Sequence, residues 1–192
     1  FLKMSSDLKQ LADEEVVGLY RAGREDAFDE LYSRYAARLK SLIYHTLGDA
    51  EATDDVFHDV FLRVYRHLGT YDASKPFSSW IYQIAVNCAR NYRRRHVRND
   101  MLIEMEKASA RERDESVSPE DEFIRETDMM EFSGAVGALK KSFREVFVLR
   151  VEQKMKYRDI AEILGCSERT AKWRMRKAVE HIADRLKKRG VL

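Results

Sequence analysis

The pattern of apolar positions has a helical period along most of the chain. Between residues 25 and 47, apolar side chains recur three or four positions apart, a spacing that places them on one face of an α-helix. The pattern stops at Gly48, and glycine readily adopts the left-handed conformation found just past helix ends. Similar patterns predict a helix from 13 to 20 and one from a capping Asp49 to about Leu68. With only two prolines in 192 residues, we predict an all-α protein.

The helix predicted after Asp49 has two different faces. Its broad apolar face is predicted to be core: Val56, Phe57, Val60, Phe61, Val64, Tyr65 and Leu68. The remaining surface carries Asp55, His58, Asp59, Leu62 and Arg66. A leucine among acids is either a single exposed apolar residue without special meaning or the anchor of a polar protein interface.

A loop over residues 70–79 precedes a basic helix. Ser74 and Pro76 keep this loop out of helix, and Pro76 or Ser78 can begin the next one. That helix has an apolar stripe predicted to be core: Trp80, Ile81, Ile84, Ala85 and Cys88. Its other positions are amides and arginines: Asn87, Arg90, Asn91, Arg93, Arg94, Arg95 and Arg98.

Such an arginine run is often only a solvated helix end. Here Tyr92 lies within it, and the preceding loop contributes Tyr71 and Phe77. Single-stranded bases stack on aromatic rings while their phosphates bind cations, so this combination favours nucleic-acid binding.

The C-terminal third predicts a helix, a tight turn and a second helix. Apolar positions in YRDIAEIL (157–164) share one face, Gly165 ends that helix, and Ser167 can cap the next. The second helix has an apolar face at Ala171, Met175, Ala178, Ile182 and Leu186, and its roughly opposite face carries Arg169, Lys172, Trp173 and Arg176. Residues 167–189 contain nine Lys or Arg against three acids, which favours phosphate contact. A braced helix with an outward basic face suits a DNA major groove.

Charge is segregated along the chain although the formal net charge is only +2. Residues 7–61 hold thirteen acids against six bases, whereas residues 140–189 hold sixteen bases against seven acids. This asymmetry indicates two different kinds of partner. Residues 99–127 have ten acids and four bases, and serines with Pro119 interrupt them at 116–119, so we predict a flexible acidic linker with a hinge there. The predicted domains are residues 13–98 and 128–192.

Several function classes have no support in the residues. The two cysteines are far apart and the five histidines are scattered, so we expect no metal site, no cofactor and no catalytic residues. No apolar run approaches membrane-spanning length, and no signal-peptide pattern is present. We therefore expect a cytoplasmic protein without membrane insertion.

Two sets of motifs in this order resemble a known family. AFDELY (27–32), DDVFHDVFLR (54–63) and FSSWIYQIAVN (77–87) resemble domain 2 of bacterial sigma factors. FREVFVLR (143–150) with YRDIAEILG (157–165) resembles their domain 4. Two such domains separated by a short linker are the layout of the extracytoplasmic-function (ECF) group. Helix-turn-helix blocks also occur in other regulators, but the first block does not.

The resemblance implies partners and residue roles. The partners are the RNA polymerase core, through the β′ clamp helices and the β subunit, promoter DNA, and an anti-sigma factor that holds the protein inactive. Contact with the clamp helices is implied for Asp55, His58, Asp59 and Leu62. Contact with the −10 element is implied for Tyr71, Phe77 and Ser78 in the loop that holds a flipped base, and for Asn87, Arg90, Asn91 and Arg94. Contact with the −35 element is implied for Arg169, Thr170, Lys172, Trp173 and Arg176.

Two other function classes remain as alternatives. An ordinary helix-turn-helix regulator with an N-terminal sensing or dimerisation domain predicts tight operator binding by the free protein and a two-fold symmetric site. A sigma factor predicts weak DNA binding alone and specific transcription only with the polymerase core. An enzyme is the third class, and no motif favours it.

Overall fold

A computed structural model describes the backbone of residues 5–107 and 127–190, and side chains over 7–96 and 132–190. The regular elements in this part of the chain are helices, which confirms the all-α prediction. They are α1 (Ser5–Leu8), α2 (Asp13–Arg21), α3 (Asp26–Leu47), α4 (Ala50–His67), a 3-10 turn (Leu68–Thr70), α5 (Phe77–Lys107), α6 (Thr127–Gly137), α7 (Lys141–Val151), α8 (Tyr157–Leu164) and α9 (Glu168–Lys188).

The predicted helix ends are confirmed by their local geometry. Gly48 follows α3 with φ of 76°, and Gly165 follows α8 with φ of 65°, both in the left-handed region that a side chain disfavours. The Asp49 side chain accepts a hydrogen bond from the first turn of α4, and Ser167 does the same for α9. The sequence therefore determined where α3 and α8 stop and where the following helices start.

The N-terminal half is a helical bundle in which α3 packs against α2, α4 and α5. Its core contains most of the predicted apolar faces, including Leu31, Leu39, Val60 and Ile81. Tyr65 is an exception, since it is 58% exposed and packs edge-on against Phe28 at the surface. Trp80 and Ile84 are only partly buried, but both pack against the core as predicted.

The predicted boundary at residue 98 does not coincide with a helix end. Helix α5 continues to Lys107, so the first part of the predicted linker is helical. The segment MLIEMEK (101–107) contains neither glycine nor proline and consists largely of good helix formers, which is consistent with this extension. The predicted hinge at 116–119 lies outside the described residues.

The C-terminal half packs α6, α7 and α8 against α9. Its own apolar cluster includes Val136, Phe143, Phe147 and Ile182. Phe132 is 39% exposed and contacts Phe147 at the edge of the cluster.

The two halves are in direct contact. Helix α7 packs on α3, and α8 packs on α5. The main apolar cluster of the N-terminal half accordingly continues into α7 and α8 through buried residues such as Val148 and Ile160. The sequence left the relative orientation of the halves open, and the structure shows that they share apolar surface.

Candidate functional site

The outward face of α9 has the composition predicted for a duplex reader. Arg169, Lys172, Trp173 and Arg176 are exposed and together line a shallow depression of about 360 Å³. Thr170 is half-buried, because its hydroxyl lies 2.8 Å from that of the capping Ser167. The structure thus gathers four of the five predicted −35 residues on one open surface.

Trp173 is fixed on this face by the helix behind it. Its indole is 45% exposed, and its other side meets Phe143 of α7 edge-on with ring centroids 5.7 Å apart. Lys172 pairs with Glu168 one turn earlier at 2.6 Å, and its ammonium lies 5.8 Å from the ring centre of Tyr157 on α8. Trp173 and Lys172 are therefore held on this face by contacts with α7, α8 and the preceding turn of α9.

The surface of α4 predicted to meet the polymerase is also open. Asp55, His58 and Asp59 are exposed, and Leu62 is 41% exposed. Successive members lie three, one and three residues apart, so they occupy one side of the helix. We call this set the acidic face of α4. It combines two carboxylates with one apolar side chain, which is the composition of a polar interface around an apolar anchor.

The loop between the 3-10 turn and α5 differs from the prediction in its aromatic residues. Tyr71 is 3% and Phe77 0% exposed, and their rings meet edge-on at 5.4 Å. Phe77 also contacts Tyr35 and Trp80, and the Tyr71 hydroxyl donates to the backbone oxygen of Lys75. Burial raises the pKa of Tyr71 to about 12. Stacking of a base on these two rings is not possible in this arrangement, because both belong to the core that shapes the loop.

The exposed part of this loop includes polar and charged side chains. Residues 72–76 are exposed, the carboxylate of Asp72 accepts from the backbone N–H of Ser74, and Ser78 is half-buried. Beside the loop lies a cavity of about 230 Å³ lined by Thr70, Asp72, Lys75, Ser79, Trp80, Gln83 and Glu162. The buried Ser79 hydroxyl lacks a hydrogen-bond partner within the described part of the chain.

The arginine face of α5, formed by Asn87, Arg90, Asn91 and Arg94, is only partly open. Asn87 and Arg94 are exposed, and Arg94 donates to the Asn91 side chain at 3.1 Å. Arg90 is engaged by the other half of the molecule. Its guanidinium donates to both oxygens of Glu145 on α7, at 3.3 and 2.8 Å, and that carboxylate is 3% exposed.

Further contacts between the halves surround this pair. Glu152, the residue just after α7, accepts from Ser41 at 2.5 Å and lies 3.1 Å from the imidazole of His45, both on α3. Burial raises the pKa of Glu152, but hydrogen bonds from His45 and Ser41 outweigh it and the pKa lies below the ordinary value.

Other links run from α5 and the loop. The Tyr82 hydroxyl lies 2.6 Å from the Gln153 side-chain oxygen, and Lys75 in the loop reaches Glu162 of α8 at 3.3 Å. Apart from Arg90, none of these contact residues was predicted from the sequence to have a role. The available signal was Glu145, a carboxylate inside the otherwise apolar stretch of α7, but nothing in the sequence named its partner.

Two other features, a metal-binding cluster and a membrane-spanning helix, are absent from the described residues. These residues contain no cluster of three or more His, Cys, Asp or Glu able to hold a metal ion. Among the same residues, no helix combines the length and apolarity needed to cross a bilayer.

Comparison with known proteins agrees with this picture. Residues 31–99 match the family model for sigma-70 region 2, and residues 129–182 match that for sigma-70 region 4. The ECF RNA polymerase sigma-E factor of Escherichia coli K12 is 30% identical over 186 residues, which cover 93% of this chain and 96% of that protein.

Solved structures show the same fold at lower identity. The structure of CnrH in complex with the cytosolic domain of CnrY matches with a TM-score of 0.67 and 22% identity, covering 92% of this chain and 98% of CnrH. The sigma factor RpoE in complex with the anti-sigma factor NepR from Bartonella quintana matches with a TM-score of 0.64 and 18% identity, covering 83% and 96%. With both sigma-70 regions in order on one chain, this protein belongs to the ECF family of RNA polymerase sigma factors.

Proposed function

We propose that this protein binds the core of RNA polymerase and directs it to start transcription at specific promoters. The observation that carries the proposal is the coexistence on one chain of three separate surfaces: the acidic face of α4, the arginine face of α5 and the basic face of α9. A protein with these surfaces can attach to a large partner while it contacts DNA at two places.

The division of labour is the one that the family resemblance implies, and the chemistry of each surface is consistent with it. The N-terminal domain, predicted as residues 13–98, holds the polymerase β′ clamp helices with Asp55, His58, Asp59 and Leu62, and the polymerase β subunit lies beside it. Its loop and arginine face hold the opened −10 strand. Phosphates meet Arg90 and Arg94, and a flipped base enters the polar cavity beside Ser79. The cavity volume of about 230 Å³ and the exposed loop residues support this assignment.

The C-terminal domain, predicted as residues 128–192, reads the −35 element as a duplex. Helix α9 enters the major groove with Arg169, Lys172, Trp173 and Arg176, which are exposed and rigidly mounted. The indole supplies an apolar surface for a thymine methyl group, and the guanidinium groups pair with guanine edges or phosphates.

Regulation by an anti-sigma factor belongs to the same proposal. The RpoE structure contains such a partner, and its fold matches this chain over most of its length. We propose that this protein acts in the cytoplasm, that an anti-sigma factor covers its polymerase and DNA surfaces, and that it has no catalytic activity of its own. The regulator alternative has less support, because the N-terminal half matches sigma-70 region 2.

The direct test is run-off transcription with purified polymerase core on a library of genomic fragments. Core plus this protein is expected to produce RNA chains that start at a shared sequence pattern, while core alone does not. The aligned start sites give the −10 and −35 elements at the same time. Absence of defined starts with active core would contradict the proposal.

A charge reversal tests the polymerase-binding surface separately. Asp59→Arg places a cation in the acidic face of α4, and we expect it to weaken core binding by about tenfold or more. Binding to core is measured by fluorescence anisotropy with labelled protein. Asp29→Asn, an exposed change on α3 outside this face, is the control. Equal core binding by Asp59→Arg and the control would remove this surface from the interface.

A further inference from the structure

The loop between the 3-10 turn and α5 is held at both ends by one helix, α2. At the start of the loop, the Arg21 guanidinium donates hydrogen bonds to the backbone oxygen of Leu68, at 3.3 Å, and to that of Tyr71. At the end of the loop, the backbone N–H of Phe77 donates to the carboxylate of Glu14 at 2.8 Å. Two side chains of α2 therefore fix the two points between which the exposed part of the loop runs.

The spacing of these two side chains suits a brace. Glu14 and Arg21 are seven positions apart on α2, which corresponds to about two helical turns and roughly 10 Å along the axis. Residues two turns apart lie on the same side of a helix, so both side chains face the loop. A single helix can therefore hold the two ends of the loop at a set separation.

Helix α2 is itself attached to the bundle. Asp13 in its first turn accepts hydrogen bonds from Arg34 of α3 at 2.7 Å and from the hydroxyl of Tyr35. Val16 and Val17 in its middle are buried in the apolar core. Polar and apolar contacts thus fix α2 on α3, and α2 does not simply follow the loop.

The hold on the loop ends extends to the exposed part through Tyr71. The Arg21 guanidinium lies 5.9 Å from the centre of the Tyr71 ring as well as binding its backbone oxygen. The Tyr71 hydroxyl donates to the backbone oxygen of Lys75, whose own N–H donates to the backbone oxygen of Asp72 at 3.1 Å. Asp72 and Lys75 line the cavity beside the loop. Their positions therefore depend on Tyr71, and through it on α2.

The two bracing residues lie apart from the groups they hold. The described residues that line the cavity do not include Glu14 or Arg21. Helix α2 also precedes residue 31, where the match to sigma-70 region 2 begins. Arg21 is exposed and Glu14 is half-buried, and their bonds to the loop go to backbone groups. Any contribution of this pair to binding in the cavity is therefore indirect.

We propose that Glu14 and Arg21 are positioning residues for recognition of the −10 element, acting through the backbone of the loop. The proposal rests on the proposed function for what the loop binds. Contacts to a base require groups held to within about 0.5 Å, whereas attraction to phosphates tolerates looser placement. A loop released at either end is therefore expected to lose its preference among bases while the protein still attracts the strand.

The first test measures the loop in the free protein by amide hydrogen exchange and mass spectrometry. Glu14→Leu removes the acceptor of the Phe77 N–H, whereas Glu14→Gln keeps an oxygen that can accept it. Arg21→Gln removes the guanidinium, and its matched control is Lys9→Gln, which removes the same charge at an exposed position before α2.

Amides of residues 70–80 are expected to exchange about tenfold faster in Glu14→Leu and Arg21→Gln, as for the loss of one hydrogen bond. Glu14→Gln and Lys9→Gln are expected to exchange at the wild-type rate. Equal exchange in all four variants would overturn the proposal. If Glu14→Leu folds poorly in thermal unfolding, Arg21→Gln carries the test, because its side chain is exposed and its replacement leaves no cavity.

The second test measures base preference with the full chain bound to polymerase core. On a promoter mapped by run-off transcription, open-complex formation is compared between the natural −10 sequence and single-base changes. Arg21→Gln and Glu14→Leu are expected to lower this preference about tenfold, the size of one base contact, and Glu14→Gln to restore it. Core affinity and −35 preference are expected to stay at the wild-type values, which a general loss of folding would not allow.

Three results of this second test have separate meanings. Unchanged −10 preference in variants with a loosened loop would overturn the proposal. A uniform loss on all −10 sequences, with a weaker salt dependence in Arg21→Gln, would also overturn it, because Arg21 would then contact a phosphate directly. Absence of defined starts with the wild type would contradict the proposed function, while the exchange measurement would still decide whether α2 holds the loop.

Discussion

The basic faces of α5 and α9 look alike in the sequence but differ in the folded protein. Both carry arginines next to aromatic residues on a long helix. On α9, Arg169, Trp173 and Arg176 are exposed. On α5, Arg90 is bound to a carboxylate that is 3% exposed and belongs to the other half of the chain.

The aromatic residues of the two regions differ strongly in their exposure to solvent. Trp173 is 45% exposed and packs edge-on against Phe143, so nearly half of its surface remains available for contact. Phe77 is fully buried among Tyr35, Tyr71 and Trp80. An aromatic residue beside arginines is therefore available for contact in one region and is a structural support in the other. Burial decides which role it has.

Replacing Phe77 and Trp173 with alanine is expected to give the largest difference in stability between the two regions. Phe77→Ala is expected to lower the free energy of unfolding by about 3–5 kcal/mol, because it removes a fully buried ring from the core. Trp173→Ala is expected to cost about 1 kcal/mol or less, since the indole is nearly half exposed. Urea unfolding measures both. A stability loss for Phe77→Ala as small as that of Trp173→Ala would contradict the structural role of Phe77.

Arg176→Ala tests whether the α9 face reads duplex DNA. Loss of its guanidinium is expected to weaken −35 recognition by about 1–3 kcal/mol if the group pairs with a guanine. Binding of holoenzyme to promoter duplexes with wild-type and altered −35 bases measures the effect. Core binding by the variant is the control and is expected to remain unchanged. A uniform loss across all −35 sequences would instead assign Arg176 to a phosphate.

Replacing the capping serine of α9 is expected to have a smaller effect on the free energy of unfolding. Ser167→Ala removes the acceptor for the Thr170 N–H at 3.0 Å and is expected to lower the free energy of unfolding by about 1 kcal/mol. Ser167→Asp keeps an acceptor at the same place and is the matched control. Thermal unfolding followed by circular dichroism measures both variants. If Ser167→Asp were destabilised as much as Ser167→Ala, the cap would not be the cause.

Replacing Glu152 is expected to change the free energy of unfolding the least, and this change is expected to depend on pH. Its folded pKa lies below the ordinary 4.5, so the ionised, hydrogen-bonded carboxylate contributes stability above pH 4.5 that is lost as the pH falls through the folded pKa. Glu152→Gln is expected to cost about 1 kcal/mol or less at neutral pH, because the pair is only half buried.

Urea titration at pH values from 7 to 3 checks this pH dependence. It gives the free energy of unfolding of the wild type and of Glu152→Gln at each pH. The two curves are expected to converge only below pH 4.5. A difference that stays constant down to pH 3 would assign the stabilisation to the shape of Glu152 rather than to its charge.

Local features of the site could be predicted from the sequence because they depend on neighbours along the chain. Gly165 and Ser167 fix the turn between α8 and α9, and the helical period then assigns Arg169, Trp173 and Arg176 to the outer face. The same period placed Asp55, Asp59 and Leu62 outside the core of α4. In both regions one helix and its ends suffice to decide which side chains face outward.

The helices, most of their ends and the chemical character of each outward face could be predicted from the sequence, because they follow from backbone geometry and a period of 3.6 residues. Only the tertiary structure decided that Tyr71 and Phe77 are buried and that Glu145 binds Arg90, an interaction across 55 positions of the chain. Long-range pairing depends on how whole helices pack, and a pattern within one helix does not specify its partner. For this protein, that packing decides which of the two faces predicted to bind DNA is partly covered.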